Sequence, residues 1–189
     1  MSTHADSAPS GALPPPEFSR LVHVDTMAGN HLIREIDAGP AERQALAARF
    51  GLVAIGSLSA TIRLRRLDGG RMVRVAGSLT AEVVQTCVVT LDPVPAHVAE
   101  DFTALFVPAE SMPDPEAEMI LDPRSLEDDL PEPMTAGTID IGELTAQHLS
   151  LALDPYPRRP DAAFEGWDDD ATPAAVSPFT ALAALKRRQ

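Results

Sequence analysis

Residues 56–84 decide the fold, and they read GSLSATIRLRRLDGGRMVRVAGSLTAEVV. From Leu58 to Leu64 every second residue is apolar, with Ser, Thr or Arg between. A period of two is typical of a β-strand with one buried face and one wetted face. Residues 68–70 (DGG) are a hairpin turn signal, and the alternation resumes from Val73 to Val83. The sequence therefore predicts two antiparallel strands joined by a tight turn.

A third strand follows on the far side of a second turn. Continuing the count of two places Cys87 on the apolar side, and residues 91–94 (LDPV) are a turn signal. Beyond it, apolar residues recur on one face as far as Phe106. We therefore predict an α+β fold built on a curled antiparallel meander over residues 53–107. Strands of this length twist, and an open barrel is one form that such a sheet can take.

Helices are predicted before and after the meander in the sequence. The first covers residues 40–50. Pro40 suits the first helical position, and Gly51 suits the left-handed backbone conformation that commonly ends a helix. The second follows Asp140, which with Glu143 resembles a capping box. Its predicted apolar stripe consists of Ile141, Leu144, His148 and Leu151. Two short strands are predicted ahead of the first helix, at residues 20–25 and 31–36.

The chain of 189 residues is predicted to hold one domain and a tail. Residues 1–17 are rich in Ser, Ala and Pro, which predicts a mobile tail, and residues 18–189 are predicted to form the domain. Within it, residues 108–135 predict an acidic loop. Residues 178–188 predict a C-terminal helix with an apolar stripe.

The acidic loop has two interpretations. Nine carboxylates and one cation, Arg124, lie between Glu110 and Glu132. Such a charge run is either a solvated loop or a docking surface for a basic partner. Its candidate partner-binding residues are Glu127, Asp128 and Asp129.

Net charge narrows the classes of partner. At a formal net charge of −13, the protein has no general positive field for phosphate backbones, so DNA is not an expected partner. No stretch approaches the roughly 18 apolar residues of a membrane span. The first 20 residues lack a basic start and an apolar run, so no signal peptide is expected and a cytoplasmic protein is predicted.

Cys87 is the one cysteine of the chain, and it admits three interpretations. A nucleophile needs exposure and a base, whereas a zinc site needs about four ligands. A second cysteine of a Cys-x-x-Cys pair would fall on Thr90, and His97 and His148 show no metal spacing. The strand register favours the third interpretation, a buried and unreactive small residue. We predict no catalytic residue, no metal and no cofactor.

Three segments carry a resemblance to a known family. They are VVQTCVVTLDPVPAHVAEDFTALFVP (83–108), IDIGELTAQHLSLALDPYPRRPDAAF (139–164) and SPFTALAALKRR (177–188). Together they resemble the YceD-like family of bacterial proteins, in its alphaproteobacterial form. Cys87 and Leu151 lie in the most specific parts of the resemblance and are expected to be structural. Many members have a Cys-x-x-Cys here, and this chain has Thr90 at the second position.

The resemblance implies a non-catalytic factor that promotes accumulation of 23S ribosomal RNA and assembly of the large ribosomal subunit. The partner expected from it is a basic ribosomal protein or a pre-ribosomal particle, and direct contact with RNA is left open. The alternative is an enzyme, a hydrolase or an RNA-modifying protein, whose site is assembled from scattered residues. A deep pocket with converging polar groups would favour the enzyme, and a flat acidic surface would favour the assembly factor.

Overall fold

The computed structural model describes residues 16–112 and 131–163. Its strands are β1 (Leu21–His23), β2 (His31–Asp37), β3 (Ala54–Leu67), β4 (Met72–Thr86), β5 (Pro93–Pro108), β6 (Glu132–Met134) and β7 (Thr138–Asp140). Its helices are α1 (Pro40–Phe50) and α2 (Ile141–Ala152). The chain divides into two compact units, residues 1–159 and 160–189, and all of these elements lie in the first.

One open sheet of five strands dominates the fold, in the order β2-β3-β4-β5-β6. The first three pairings are antiparallel, and the short β6 pairs with β5 in parallel. A second sheet joins β1 to β7. The predicted α+β fold with an antiparallel meander is confirmed, and the sheet is wider than the three strands predicted. Strand β6 has no alternating apolar pattern from which it could have been predicted.

The two faces of the sheet follow the alternation in the sequence. On β4, for example, Val73, Val75, Leu79, Ala81 and Val83 are buried while their neighbours are exposed or half-buried. Both helices pack against the sheet, α1 on β3 and α2 on β4 and β5. The core therefore lies between the inner face of the sheet and the helices, and the outward side chains of β3 and β4 are exposed or half-buried.

A glycine on β4 lets an aromatic ring cross the inner face. A Cβ added at Gly77 would lie 2.2 Å from the Phe102 ring, so a larger residue fits here only if the ring moves. The ring of Phe102 stacks on the imidazole of His148, with 4.0 Å between centroids and 9° between planes. Gly77 thus allows β4, β5 and α2 to meet at one contact.

Helix α1 begins and ends as predicted. Pro40 is its first residue, and Gly51 ends it with φ of 66°, in the left-handed region. Leu46 is fully buried on the face that meets the core.

The N-terminus of α2 is held by Asp140, as predicted. Its carboxylate accepts hydrogen bonds from the backbone N–H groups of Gly142 at 3.0 Å and Glu143 at 3.1 Å. The predicted capping box differs in its second half, because the Glu143 carboxylate binds the Arg49 guanidinium at 2.8 Å.

The predicted apolar stripe of α2 is wrong at Leu151, which is 80% exposed. Small residues define the buried face, which contains Gly142, Thr145, Ala146 and Leu149 beside Ile141 and Leu144. At about 100° per residue, Leu151 lies half a turn away from Gly142. It therefore points away from the core.

Several predictions lie outside the described residues. They are most of the tail at 1–17, the centre of the acidic loop at 108–135 and the helix at 178–188. The strand predicted at 20–25 is confirmed only for β1, since Val24–Thr26 form a 3-10 turn. The strand at 31–36 is confirmed as β2.

Candidate functional site

Cys87 lies in the tight turn that joins β4 to β5. The backbone N–H of Cys87 donates to the Asp92 carbonyl at 2.8 Å, and the N–H of Leu91 donates to the Cys87 carbonyl at 3.0 Å. Leu91 has φ of 63°, a conformation that is uncommon for a residue with a side chain. The turn is thus closed by two backbone hydrogen bonds at the cost of local strain.

The segment that follows α2 is fastened to this turn. The N–H of Val88 donates to the Pro157 carbonyl at 2.9 Å, and the Gln85 side-chain amide donates to the Asp154 carbonyl at 2.8 Å. The chain beyond the helix therefore covers the end of β4. This contact joins residues 83–108 to residues 139–164, two of the three segments that carry the resemblance.

The Cys87 thiol is fully buried, which confirms the predicted burial. The backbone N–H of Thr90 lies 3.4 Å from Sγ in hydrogen-bonding geometry. Hydrogen bonds from the Thr90 hydroxyl, and then from the backbone N–H groups of Arg159 and Thr90, lower the pKa of Cys87 to about 6, and burial opposes them less strongly. The donors stabilise the thiolate, so burial alone does not make this thiol unreactive, and its predicted lack of reactivity stays a prediction.

Apolar side chains surround the Cys87 turn on the surface. Val88, Leu91 and Tyr156 are 46%, 76% and 72% exposed. The exposed Leu151 lies on the last turn of α2, just before the segment that covers the turn. Of the two residues expected to be structural, Cys87 is therefore buried and Leu151 is on the surface.

The structure does not bring the candidate metal ligands together. His97 Nδ1 lies 2.7 Å from the Glu82 carboxylate, and His148 stacks on Phe102. Within residues 16–112 and 131–163, no group of three His, Cys, Asp or Glu side chains is arranged to hold a metal ion. In the same ranges no helix is long and apolar enough to cross a membrane.

The outer face of the sheet divides into a basic end and an acidic end. Near the β3–β4 hairpin, His31, Arg65 and Arg74 occupy adjacent register positions across three strands, and Arg63 lies two residues along β3. Towards the β4–β5 turn the outward residues include Glu35, Asp37, Glu82 and Asp101. This division was not predicted from the sequence, although Arg63, Arg65 and Arg74 all occupy outward positions of the strand pattern.

The partner-binding residues predicted from sequence, Glu127, Asp128 and Asp129, lie outside the described residues. Only the start and end of the acidic run are described, at Glu110 after β5 and at Glu132 in β6. Strands β5 and β6 pair side by side, so the run leaves and re-enters the sheet at one edge.

A family model described as large ribosomal RNA subunit accumulation protein YceD matches residues 75–186, more than half of the chain. The chain belongs to the YceD family. The match begins in β4 and spans the Cys87 turn, β5, the acidic run and α2. No curated protein and no solved structure matches the chain. The YceD family has a ribosome-related role by its description, and both Cys87 and Leu151 lie within the matched region.

Proposed function

We propose that this YceD-family protein is a non-catalytic factor that promotes accumulation of 23S ribosomal RNA during assembly of the large ribosomal subunit. The family match over residues 75–186 is the observation that carries the proposal. The proposal places the protein in the cytoplasm, where it binds a component of the assembling particle.

The surfaces of the described residues support a binding role. The outer face of the sheet is open and carries charges of both signs, separated along the strands. The Cys87 turn is covered by the segment after α2, with exposed apolar side chains around it. A flat, charged surface of this kind suits a macromolecular partner better than a small substrate.

The partner of the acidic run in this proposal is a basic ribosomal protein or a pre-ribosomal particle. The run from Glu110 to Glu132 carries an excess of eight negative charges, nine carboxylates against Arg124. It repels phosphate and attracts a surface rich in Lys and Arg, which speeds association at low ionic strength. Exposed charges are screened over about 8 Å at physiological salt, so the binding weakens as salt rises.

A triple variant tests the acidic run: Glu127→Gln, Asp128→Asn and Asp129→Asn. We expect it to fold normally, because exposed charges contribute little to stability. It should lose capture of large-subunit particles from lysate and fail to restore 23S ribosomal RNA levels in cells that lack the wild-type protein. The readouts are the captured proteins and RNA at low and high salt, and the ratio of 23S to 16S RNA.

The matched control removes three exposed carboxylates elsewhere: Asp37→Asn, Asp68→Asn and Glu100→Gln. It changes the net charge by the same amount and should leave capture and complementation intact. If the acidic-run variant complements as well as this control does, the run is a solvated insertion. The partner surface must then be sought on the sheet.

The lowered pKa of Cys87 is the one observation that favours the alternative, an enzyme with a reactive thiol. The geometry argues against it, because the thiol is fully buried and its pKa is lowered by hydroxyl and amide donors rather than by a base. A Cys87→Ala variant separates the two. An assembly factor keeps its effect on 23S RNA levels when Cys87 is replaced in a folded protein, and a thiol enzyme loses it.

A further inference from the structure

Three arginines cluster on the outer face of the sheet near the β3–β4 hairpin. Arg63 and Arg65 both project outward from β3, and Arg74 lies directly opposite Arg65 on β4. All three are exposed. Within the part of the chain that the structure describes, none of them has an ion-pair partner.

This arrangement is unfavourable for the folded protein alone. Like charges directly opposite each other on neighbouring strands repel, and the residue pair Arg65–Arg74 is such a pair. The chain has 28 carboxylates and 15 Lys and Arg residues, so partners of opposite charge are plentiful. Other arginines do find them: Arg20 binds Glu42 at 2.7 Å. Among the described residues the positive charge of the cluster is therefore left without an ion-pair partner, which makes it available to a ligand.

The acidic end of the outer face lies far from Arg74 along the strand. Glu82, at the acidic end of β4, is eight residues from Arg74, which is about 26 Å at the rise of a strand. That distance exceeds the screening length of about 8 Å at physiological salt. Glu35 and Asp101 lie in the register row next to that of Arg63 and not beside Arg65 or Arg74. Asp68, in the β3–β4 hairpin, is paired with Arg71 at 2.9 Å.

The surface beside the arginines forms an open depression lined mainly by polar and small side chains. The depression, of about 360 Å³, is lined by Arg63, by the carboxylate residue Asp101 and by the small side chains of Ala76, Ser78 and Thr103. Arg63 and Arg65 are two residues apart, which is about 6.7 Å along a strand and comparable with the spacing of neighbouring phosphates in one nucleic-acid strand. Arginine binds phosphate oxygens with two parallel N–H donors.

Base recognition is not provided by this face. Among the described outward-facing residues of β2, β3, β4 and β5 there is no Phe, Tyr or Trp on which a base could stack. This face can therefore contact the sugar–phosphate backbone, and such contacts do not depend on the base sequence of the nucleic acid.

We propose that Arg63, Arg65 and Arg74 form a phosphate-binding surface that contacts the backbone of RNA. The choice of RNA as the nucleic acid rests on the proposed role in 23S ribosomal RNA accumulation. The cluster lies in β3 and β4 and shares no residue with the acidic run, so the proposal assigns RNA and a basic protein to different residues of the chain.

The test is binding of the purified full-length protein to in vitro transcribed 23S ribosomal RNA, measured over a range of salt concentrations. The variant carries Arg63→Gln, Arg65→Gln and Arg74→Gln. Each phosphate contact contributes roughly 0.7–0.9 to the slope of log affinity against log salt, so the variant's slope should be shallower by about two to three. Its affinity should fall roughly tenfold or more at physiological salt.

The matched control removes three other arginines: Arg34→Gln, Arg43→Gln and Arg158→Gln. It gives the same net charge and should keep the wild-type slope. A third variant, Glu35→Gln with Asp101→Asn, removes the flanking carboxylates and should bind RNA more tightly. Thermal melting of the Arg63, Arg65 and Arg74 variant should be no lower than wild type, because the repulsion between Arg65 and Arg74 is relieved.

The outcomes separate this surface from the proposed function. Equal loss of RNA binding in the cluster variant and its control overturns the surface, and so does a wild-type slope in the cluster variant. Competition by polyglutamate as effective as that by RNA also overturns it, because the cluster then takes an acidic protein. If the wild type binds RNA through the cluster but does not restore 23S levels in cells lacking it, the proposed function fails and the surface stands.

Discussion

Cys87 shows how a single residue combines burial with a stabilised charge. Its side chain is inaccessible, as the strand alternation predicts, yet hydrogen bonds from Thr90 and from backbone N–H groups favour the thiolate. Alternation predicts which side of a strand a residue faces. It holds no information on hydrogen-bond donors in the turn at Thr90 or at Arg159, 72 residues later in the chain. The lowered pKa therefore could not be predicted from the sequence.

This pKa makes the stability of the protein depend on pH. The pKa of the folded-state thiol is about 6 and its ordinary value is 9.0, so the unfolded chain binds the proton more tightly. The thiolate contribution to stability is therefore complete above pH 9 and is lost as the pH falls through about 6. In the wild type, the urea concentration at the midpoint of unfolding should rise between these two pH values. We expect this rise to be smaller in Cys87→Ala.

A variant of the donor serves as the control for that experiment. Thr90→Val removes the hydroxyl that contributes most to lowering the pKa of Cys87. The pH dependence of its urea midpoint should therefore be intermediate between those of wild type and Cys87→Ala. Thr90→Ser keeps a hydroxyl and should behave as the wild type. Parallel curves for wild type and Cys87→Ala would show that the thiol does not titrate in this range.

At the scale of elements, Gly77 controls how β4, β5 and α2 meet. A Cβ at this position would lie 2.2 Å from the Phe102 ring, so the ring must move and lose its stacking on His148. Overpacking of this kind costs about 1–3 kcal/mol. We expect Gly77→Ala to lower the free energy of unfolding by about that amount in denaturant titrations.

Two further variants make this prediction specific. Gly56→Ala is the matched control, because its added Cβ would be 3.6 Å from the nearest atoms of Glu82, an ordinary contact. Phe102→Leu should relieve the clash. The double variant with Gly77→Ala should therefore lose less unfolding free energy than the two single variants lose in total. Strict additivity would show that the ring is not what excludes a side chain at Gly77.

The elements differ in how well the sequence predicts them. The long strands β3, β4 and β5 follow a period of two over many residues, and α1 has distinct residues at both ends, so these predictions are confirmed. The buried face of α2 was misplaced at Leu151 because the small residues Gly142, Thr145 and Ala146 share it with the large apolar ones. Strand β6 has three residues and a proline, and only its pairing with β5 makes it a strand.

At the scale of the whole molecule, residues far apart in the sequence meet at Asp140. Its carboxylate accepts from the Ser19 hydroxyl at 2.6 Å and from the Arg20 backbone N–H at 2.7 Å, while also capping α2. Arg20 in turn binds Glu42 of α1 at 2.7 Å. The sequence predicts the cap from local spacing, but it cannot predict contacts across 120 residues.

Asp140→Ala should therefore destabilise the protein by more than the loss of an ordinary helix cap. A cap alone is worth about 0.5–2 kcal/mol, and here the Ser19 hydroxyl and the Arg20 N–H also lose their acceptor in a partly buried place. We expect a loss of about 2–4 kcal/mol in the free energy of unfolding, with a single cooperative transition.

The control is Asp154→Ala, whose exposed carboxylate accepts a hydrogen bond from the Tyr156 N–H at 2.9 Å. This variant should lose less than about 1 kcal/mol of unfolding free energy. Equal losses for the two variants would mean that Asp140 acts only as a local cap. The β1–β7 pairing, which joins Leu21–His23 to Thr138–Asp140, would then be what ties the start of the fold to α2.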